Sequence, residues 1–252
     1  MTLWEAIAVL VAGVGAGMIN VIVGSGTLIT FPVLLAVGIP PVTANVSNSF
    51  GLVPGSLSGV IGYRRELADQ GRRLLRMGTA SLLGGLLGAL LLTKLPTGAF
   101  DAIVPALILL ALVLVVVQPR VAKAVAARRR PGGDPDGGAV LLAGVFLTGI
   151  YGGYFGAAQG VLLMALMGML LQDDLQRINA VKNALALIVN GVAALFFLFT
   201  STVDWTAAGL IAVGSLVGGL LGAKVGRRLP PAALRGVIVV VGLAAVVKLL
   251  VS

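Results

Sequence analysis

The feature that most constrains this chain is an apolar segment, residues 3–38, that is interrupted near its middle by Gly24-Ser25-Gly26. As one helix at 1.5 Å per residue it would extend roughly 54 Å, whereas the hydrocarbon core of a bilayer is about 30 Å thick. Backbone groups freed by a break in lipid are tolerated only where protein buries them or a watery cavity wets them. The segment therefore predicts a broken hairpin, either re-entrant or made of two short spans.

Composition indicates a membrane protein over the whole chain. Apolar residues make up 58% of the sequence, the mean hydropathy is +1.08 and charged residues make up 11%. A soluble domain carries about a quarter charged residues. Apolar runs of roughly 20 residues, the length of a membrane-spanning helix, recur along nearly the whole chain. We therefore predict an all-α, multi-pass protein of the cell (inner or plasma) membrane.

Several classes of chemistry lack the residues they need. The chain has no cysteine and no histidine, which removes disulfides, thiolate chemistry and histidine metal sites. No Asp or Glu lies clearly within an apolar segment, so an intramembrane enzyme is disfavoured and neither metal nor cofactor is expected. The net charge of +9 is assigned to loops that face anionic lipid, and nucleic acid is not expected because no aromatic residues interleave the arginines.

The second half of the chain repeats the first. Residues 81–89 recur as residues 215–223, an offset of 134. Agreement at many positions predicts a duplicated unit, with chance similarity between Gly/Leu-rich helices as the alternative. The offset of 134 also pairs Asn45 with Asn179, Ser49 with Asn183, Ser56 with Asn190 and Gly26 with Gly160, and an offset of 132 pairs Gly17 with Gly149 and Gly24 with Gly156.

The distribution of charge predicts the orientation of the two copies. Fourteen of the eighteen Lys and Arg lie in residues 64–76, 120–130 and 224–235, and loops rich in Lys and Arg stay in the cytoplasm. Eight simple spans would leave the last of these loops outside. The conflict disappears if the first segment of each half enters and leaves on one side.

The predicted fold is therefore two inverted-topology repeats, each a broken or re-entrant helical hairpin plus three transmembrane helices. The first repeat is residues 1–117, the cytoplasmic basic linker is 118–138, and the second repeat is 139–252. Many secondary transporters are built in this way, with the substrate site at the repeat interface near the membrane midplane.

The order and spacing of these motifs resemble the sulfite exporter TauE/SafE family over essentially the whole chain. The resemblance rests on residues 13–32, on Ala44-Asn45-Val46-Ser47-Asn48-Ser49 and on the echo at residues 149–160. Where the family typically has a Gly-Gly-Gly-like run, this chain has Gly24-Ser25-Gly26 and Gly156-Ala157-Ala158-Gln159-Gly160. The resemblance implies movement of sulfite, organosulfonates or related sulfur anions across the bacterial inner membrane.

Candidate substrate-binding residues of the first half surround its break. A small oxyanion needs hydrogen-bond donors, and backbone N–H groups at the start of a broken helix supply them together with the positive end of the helix dipole. For the amides and hydroxyls, helix capping and interhelical hydrogen bonding are the alternative. The candidates are Asn20, Gly24, Ser25, Gly26, Asn45, Asn48 and Ser49.

Lys182 is the most informative candidate of the second half. It lies one to two turns inside an apolar segment, with Asn179 and Asn183 on nearly the same face. A lysine inside a span is costly and indicates a functional site, although its stem could also carry the charge to the cytoplasmic interface. The remaining candidates of this half are Gln159 and Asn190.

We predict a secondary transporter that moves a small anion, probably as the resemblance implies a sulfur oxyanion or organosulfonate, by alternating access. Its partners are that anion and the lipid bilayer. Export can follow the membrane potential, since a negative cytoplasm drives anions outward, and coupling to protons or sodium through neutral oxygens stays open. The alternatives are a non-transporting membrane scaffold and a transporter of an unrelated small solute.

Overall fold

The computed structural model describes residues 1–127 and 137–225, together with residues 236, 239, 240 and 243. In these parts of the chain all regular structure is helical, as the composition predicts. The helices are α1 (Leu3–Ile22), α2 (Thr27–Ala36), α3 (Pro41–Gly62), α4 (Gly71–Lys94), α5 (Thr97–Ala127), α6 (Gly138–Tyr154), α7 (Gln159–Leu170), α8 (Leu175–Thr200) and α9 (Trp205–Val225).

Five of these helices are long and apolar enough to cross a membrane, namely α1, α4, α5, α8 and α9. In α4 the small residues Gly84, Gly85 and Gly88 are buried, while leucines of the same helix are exposed. That distribution suits a helix that faces lipid on one side and close-packed protein on the other. The more polar α3, 22 residues long, buries its asparagines and serines inside the protein.

The predicted breaks are present in both halves. The chain leaves α1 at Ile22 and resumes helix at Thr27, and it leaves α6 at Tyr154 and resumes at Gln159. Gly24 and Gly156, which the offset of 132 pairs, have φ of +89° and +78°. Glycine adopts this left-handed conformation without a steric penalty. The half-helices α2 and α7 are only 10 and 12 residues long.

Small residues bring the two halves into close contact. α1 packs on α9 and α6 packs on α4. A Cβ at Gly17 would overlap the backbone of Ser215, and a Cβ at Gly149 would lie 3.0 Å from the Ser81 carbonyl oxygen. The repeat pairs Gly17 with Gly149 and Ser81 with Ser215, so the same interface is formed twice.

Neighbouring helices from different halves run parallel in these two interfaces. Along each pair the residue numbers of contacting positions rise together. The contacts that show this are Gly13 with Ile211 and Gly222 with Met18 for α1 and α9, and Gly84 with Phe146 and Gly88 with Tyr154 for α4 and α6.

The equivalent helices α3 and α8 cross in the opposite sense. Asn190 contacts Ser56, and Gly59 lies beside Asn183. The residue number therefore falls along one helix as it rises along the other, so α3 and α8 run in opposite directions.

Two helices are longer than the sequence pattern alone suggests. α4 begins at Gly71, so the second part of the basic segment 64–76 is helical. α5 continues to Ala127, which covers the first ten residues of the expected linker 118–138. The predicted last span, after residue 225, lies outside the described residues apart from four isolated positions.

Candidate functional site

The two breaks contact each other. The backbone N–H of Gly160 donates to the carbonyl oxygen of Gly24 at 3.0 Å. A Cβ on either glycine would overlap the backbone of the other, so this approach requires glycine at both positions. Beside it, the rings of Phe31 and Phe155 meet edge-on with centroids 5.2 Å apart. The breaks are thus enclosed in the protein and do not face lipid.

Each half-helix starts with a buried polar side chain that lacks a hydrogen-bond partner. Ser25 precedes α2 and is 1% exposed, and Gln159 begins α7 and is 4% exposed. The Oγ of Ser25 and the Nε2 of Gln159 have no partner, and no side chain caps either half-helix. The first N–H groups of a helix carry its positive dipole end. Unsatisfied donors at two such ends suit a small anion.

Lys182 is fully buried and contacts the end of α1. Its Nζ donates to the carbonyl oxygens of Asn20 and Val21, at 2.8 and 3.0 Å. The ammonium therefore does not extend to the membrane interface, as the alternative in the sequence analysis had it. It satisfies carbonyl groups that the break leaves without helical partners.

Asn179 and Asn183 lie beside Lys182 as their spacing predicts. Their Nδ2 groups donate to the carbonyl oxygen of Val21 at 3.3 and 3.4 Å. In the first half, the equivalent of Asn179 is Asn45, whose Nδ2 donates to the carbonyl oxygen of Tyr154 at 2.9 Å. Each asparagine thus binds the last turn of the first helix in the other half. The Oδ1 atoms of Asn45 and Asn179 are both buried without a partner.

A third contact joins the halves between α3 and α8. The Nδ2 groups of Asn20 and Asn190 donate to the Oγ of Ser56 at 3.3 and 3.4 Å. Ser56 and Asn190 are equivalent positions of the repeat and touch each other. Residues related by a two-fold operation meet in this way only near its axis, so this cluster marks the centre of the two-part structure.

A charged cluster closes the end of the molecule at which α4 and α8 begin. The Nη1 of Arg73 and the Nε of Arg177 donate to the two oxygens of Asp173, at 2.5 and 2.9 Å. Burial alone would raise the pKa of Asp173. The hydrogen bond from Arg73, the backbone N–H of Asp174 and the two positive charges outweigh burial and hold that pKa below its usual value.

Open grooves lie at both ends of α3. One, of about 370 Å³, is lined by Pro41, Thr43 and Thr200 among others. The other, of about 420 Å³, lies at the far end of α3 and is lined by Arg64, Arg65 and Lys224 together with Glu66. In the described part of the chain no group of three or more acidic residues could hold a metal ion.

Comparison with known proteins decides the family. The model of the sulfite exporter TauE/SafE family matches residues 9–249. This chain belongs to the TauE/SafE family. It is 28% identical over 246 residues to a probable membrane transporter protein, ORF9, of Sinorhizobium sp, covering 95% of this chain and 90% of that protein. It is 30% identical over 215 residues to the probable membrane transporter protein YfcA of Escherichia coli strain K12, covering 85% and 76%.

A probable membrane transporter protein of Haemophilus influenzae is 28% identical over 218 residues, covering 84% of this chain and 81% of that protein. The chain is accordingly a TauE/SafE membrane transporter, and its substrate is a small molecule. Family membership and the five apolar helices agree on a multi-pass protein in a lipid bilayer.

Not every candidate of the sequence analysis lies between the halves of this TauE/SafE transporter. Asn48 stays in its own half, where its Oδ1 accepts from Thr30 at 2.5 Å and its Nδ2 donates to Thr27 at 3.2 Å. Ser49 donates to the carbonyl of Asn45 in its own helix at 3.0 Å. Gly26 packs on the backbone of Ala16 in α1. These three residues shape the first hairpin.

Sequence reasoning missed three polar residues of this TauE/SafE site. Thr27 and Thr30 hold Asn48, and Ser56 joins the halves. The available signals were the spacing of the two threonines, one turn apart directly after the break, and the pairing of Ser56 with Asn190 at the offset of 134.

Proposed function

We propose that this TauE/SafE member moves a small sulfur oxyanion, such as sulfite or an organosulfonate, across the bacterial inner membrane by alternating access. The observation that carries the proposal is the contact between the two breaks, flanked by the partnerless Ser25 Oγ and Gln159 Nε2. The printed description of the family, a sulfite exporter, supports the sulfur anion.

The charge around the breaks favours an anion. The start of each half-helix presents a positive dipole end, and the Lys182 ammonium lies next to Gly160, within reach of the contact between the breaks. Among the buried polar residues of the described segments there is no Asp or Glu. An anion bound between α2 and α7 would therefore meet donors and positive potential without a carboxylate to repel it.

The two halves act as inverted-topology repeats in this proposal. The opposite directions of α3 and α8 and the doubled α1–α9 and α4–α6 interfaces support it. A site between such repeats can open to either side when one bundle rocks against the other. The grooves at the two ends of α3 are the natural entrances.

The end that carries Arg64, Arg65 and Arg73 is the cytoplasmic end, because loops rich in Lys and Arg stay inside. The basic groove there would attract the anion from the cytoplasm. The membrane potential then contributes about 2.3 kcal/mol per charge per 100 mV toward export.

The test is anion flux in proteoliposomes that contain the purified protein and a radiolabelled sulfite or organosulfonate. We expect flux by the wild type and a reduction of about tenfold in Ser25→Ala, because one anion-directed hydrogen bond is worth about 1.5 kcal/mol. Ser81→Ala is the matched control, since Ser81 Oγ is also buried and partnerless but lies in the α4–α6 interface. A non-transporting scaffold would give no flux of any such anion, and that result would refute the proposal.

A further inference from the structure

The end of α1 binds a positive charge that the protein itself supplies. The carbonyl oxygens of Asn20 and Val21 lie 2.8 and 3.0 Å from Lys182 Nζ. Two side-chain amides, Asn179 and Asn183, also donate to the Val21 carbonyl. Converging carbonyl oxygens at the unwound end of a helix are the kind of ligand set that holds a coupling cation in transporters built from broken helices.

The lysine reaches this end through space that a glycine leaves open. A Cβ at Gly160 would lie 2.9 Å from the Cδ of Lys182, so the stem of the lysine passes directly over the start of α7. Lys182 is 0% exposed, and in the described segments no buried carboxylate accompanies it. Its charge is balanced by carbonyl dipoles alone.

The first half has no such charge at the equivalent place. The offset of 134 pairs Lys182 with Asn48, and Asn48 is neutral and is held by Thr27 and Thr30 in its own half. The end of α6 instead receives the amide of Asn45. The two helix ends at the centre of the molecule are therefore alike in geometry and unlike in charge.

We propose that the end of α1 is a monovalent-cation site and that the Lys182 ammonium is its built-in occupant. The ammonium neutralises the negative end of the α1 dipole, which would otherwise repel an anion held at the starts of α2 and α7. Transport then needs no free sodium ion at this place. Lys182 acts on the anion through α1, as a positioning residue and not as a direct ligand. The role in transport rests on the function proposed above, whereas the cation site itself does not.

The stability of purified protein tests the cation site without any transport. Lys182→Ala leaves the carbonyl oxygens and a space that methylammonium fits. We expect a thermal midpoint several degrees below that of the wild type, restored by methylammonium chloride but not by choline chloride. Lys182→Met fills the same space without charge, so it is expected to be destabilised and not restored. A wild-type midpoint in Lys182→Ala, or one that methylammonium does not raise, would overturn the cation site.

If Lys182→Ala does not yield folded protein, Lys182→Arg and Lys182→Gln decide the same point. Arginine keeps the charge and is expected to retain most of the stability, while glutamine has similar length and no charge and is expected to lose it. Equal stability of the two variants would show that the charge is not what the site holds.

Flux measurements test the role in transport. We expect the wild type to move the anion equally well in sodium and in N-methylglucamine media, and Lys182→Ala to lose at least tenfold in flux and regain it with methylammonium. Lys94→Ala, which removes an exposed lysine, is the matched control and should match the wild type. A strict sodium requirement in the wild type would overturn the built-in occupant. Absence of anion flux in the wild type would refute the proposed function, and the role of Lys182 in transport with it, while the stability measurements still decide the cation site.

Discussion

The N–H of Gly160 and the carbonyl of Gly24 form a 3.0 Å hydrogen bond that joins the start of α7 to the break after α1. This bond brings the interrupted backbones of the two halves together at one point. It places the starts of both half-helices, the partnerless Ser25 and Gln159 and the end of α1 in the same neighbourhood. Any account of how this transporter binds its substrate has to begin with that contact.

Replacing Gly160 by alanine should separate the breaks. The new Cβ would overlap the backbone of Gly24, and overpacking of this kind costs about 1–3 kcal/mol. We expect a lower thermal midpoint and a strong loss of anion flux. Gly191→Ala is the matched control, because a Cβ there meets nothing within 4 Å. Gly160→Ala with wild-type stability and flux would show that the close approach of the breaks is not needed.

The asparagines that bind the opposite half should differ in importance. Asn45→Ala removes the amide donor from the Tyr154 carbonyl, which should cost about 1–2 kcal/mol of unfolding free energy. Asn179→Ala should cost less, because Lys182 and Asn183 still donate to Val21. Unfolding of each variant in detergent measures the difference. A larger loss in Asn179→Ala than in Asn45→Ala would contradict this ranking.

Acid should weaken the cluster around Asp173. Its pKa is lower in the folded protein than in the unfolded chain, so the stabilisation is fully present above the unfolded value, near 4, and is lost as the pH falls through the folded value. We expect Asp173→Asn to lose about 1 kcal/mol or less at neutral pH, as for a partly exposed pair, and to lose less further stability in acid than the wild type.

Asp174→Asn is the control for that experiment. Asp174 accepts from the N–H of Gln176 at the start of α8, and asparagine caps a helix start about as well as aspartate. Its thermal midpoint between pH 3 and 7 should therefore follow that of the wild type. Identical acid profiles for wild type and Asp173→Asn would exclude a contribution from the cluster.

The sidedness of the protein can be read from single cysteines, because the natural chain contains none. Thr202→Cys lies between α8 and α9, and Ala68→Cys lies between α3 and α4. We expect a membrane-impermeant maleimide to label Thr202→Cys in intact cells, and Ala68→Cys only after the membrane is permeabilised. The reverse pattern would invert the orientation drawn from the basic loops.

The sequence predicted the breaks because only a few residues can make them. Glycine is suited to the left-handed conformation seen at Gly24 and Gly156, and the offset of 132 located the second from the first. The all-helical fold and the family followed from apolar runs and motif order. Those signals are properties of local sequence, so one chain is enough to detect them.

The partners of the polar residues were not predictable in the same way. Lys182 binds backbone carbonyls of Asn20 and Val21, and a carbonyl has no residue-specific signal. Which carbonyls come within reach depends on how α8 crosses the end of α1. Asn48 illustrates the same limit, because its amide turns to two threonines of its own half although its spacing also suited the interface.

The central claim, that the breaks form a substrate site reached alternately from both sides, is tested most directly by labelling Ser25→Cys in proteoliposomes of known orientation. An impermeant maleimide applied on either side should react slowly, and an organosulfonate should slow the reaction further by occupying the site. Reaction from one side alone, or rates that no sulfur anion changes, would contradict the account.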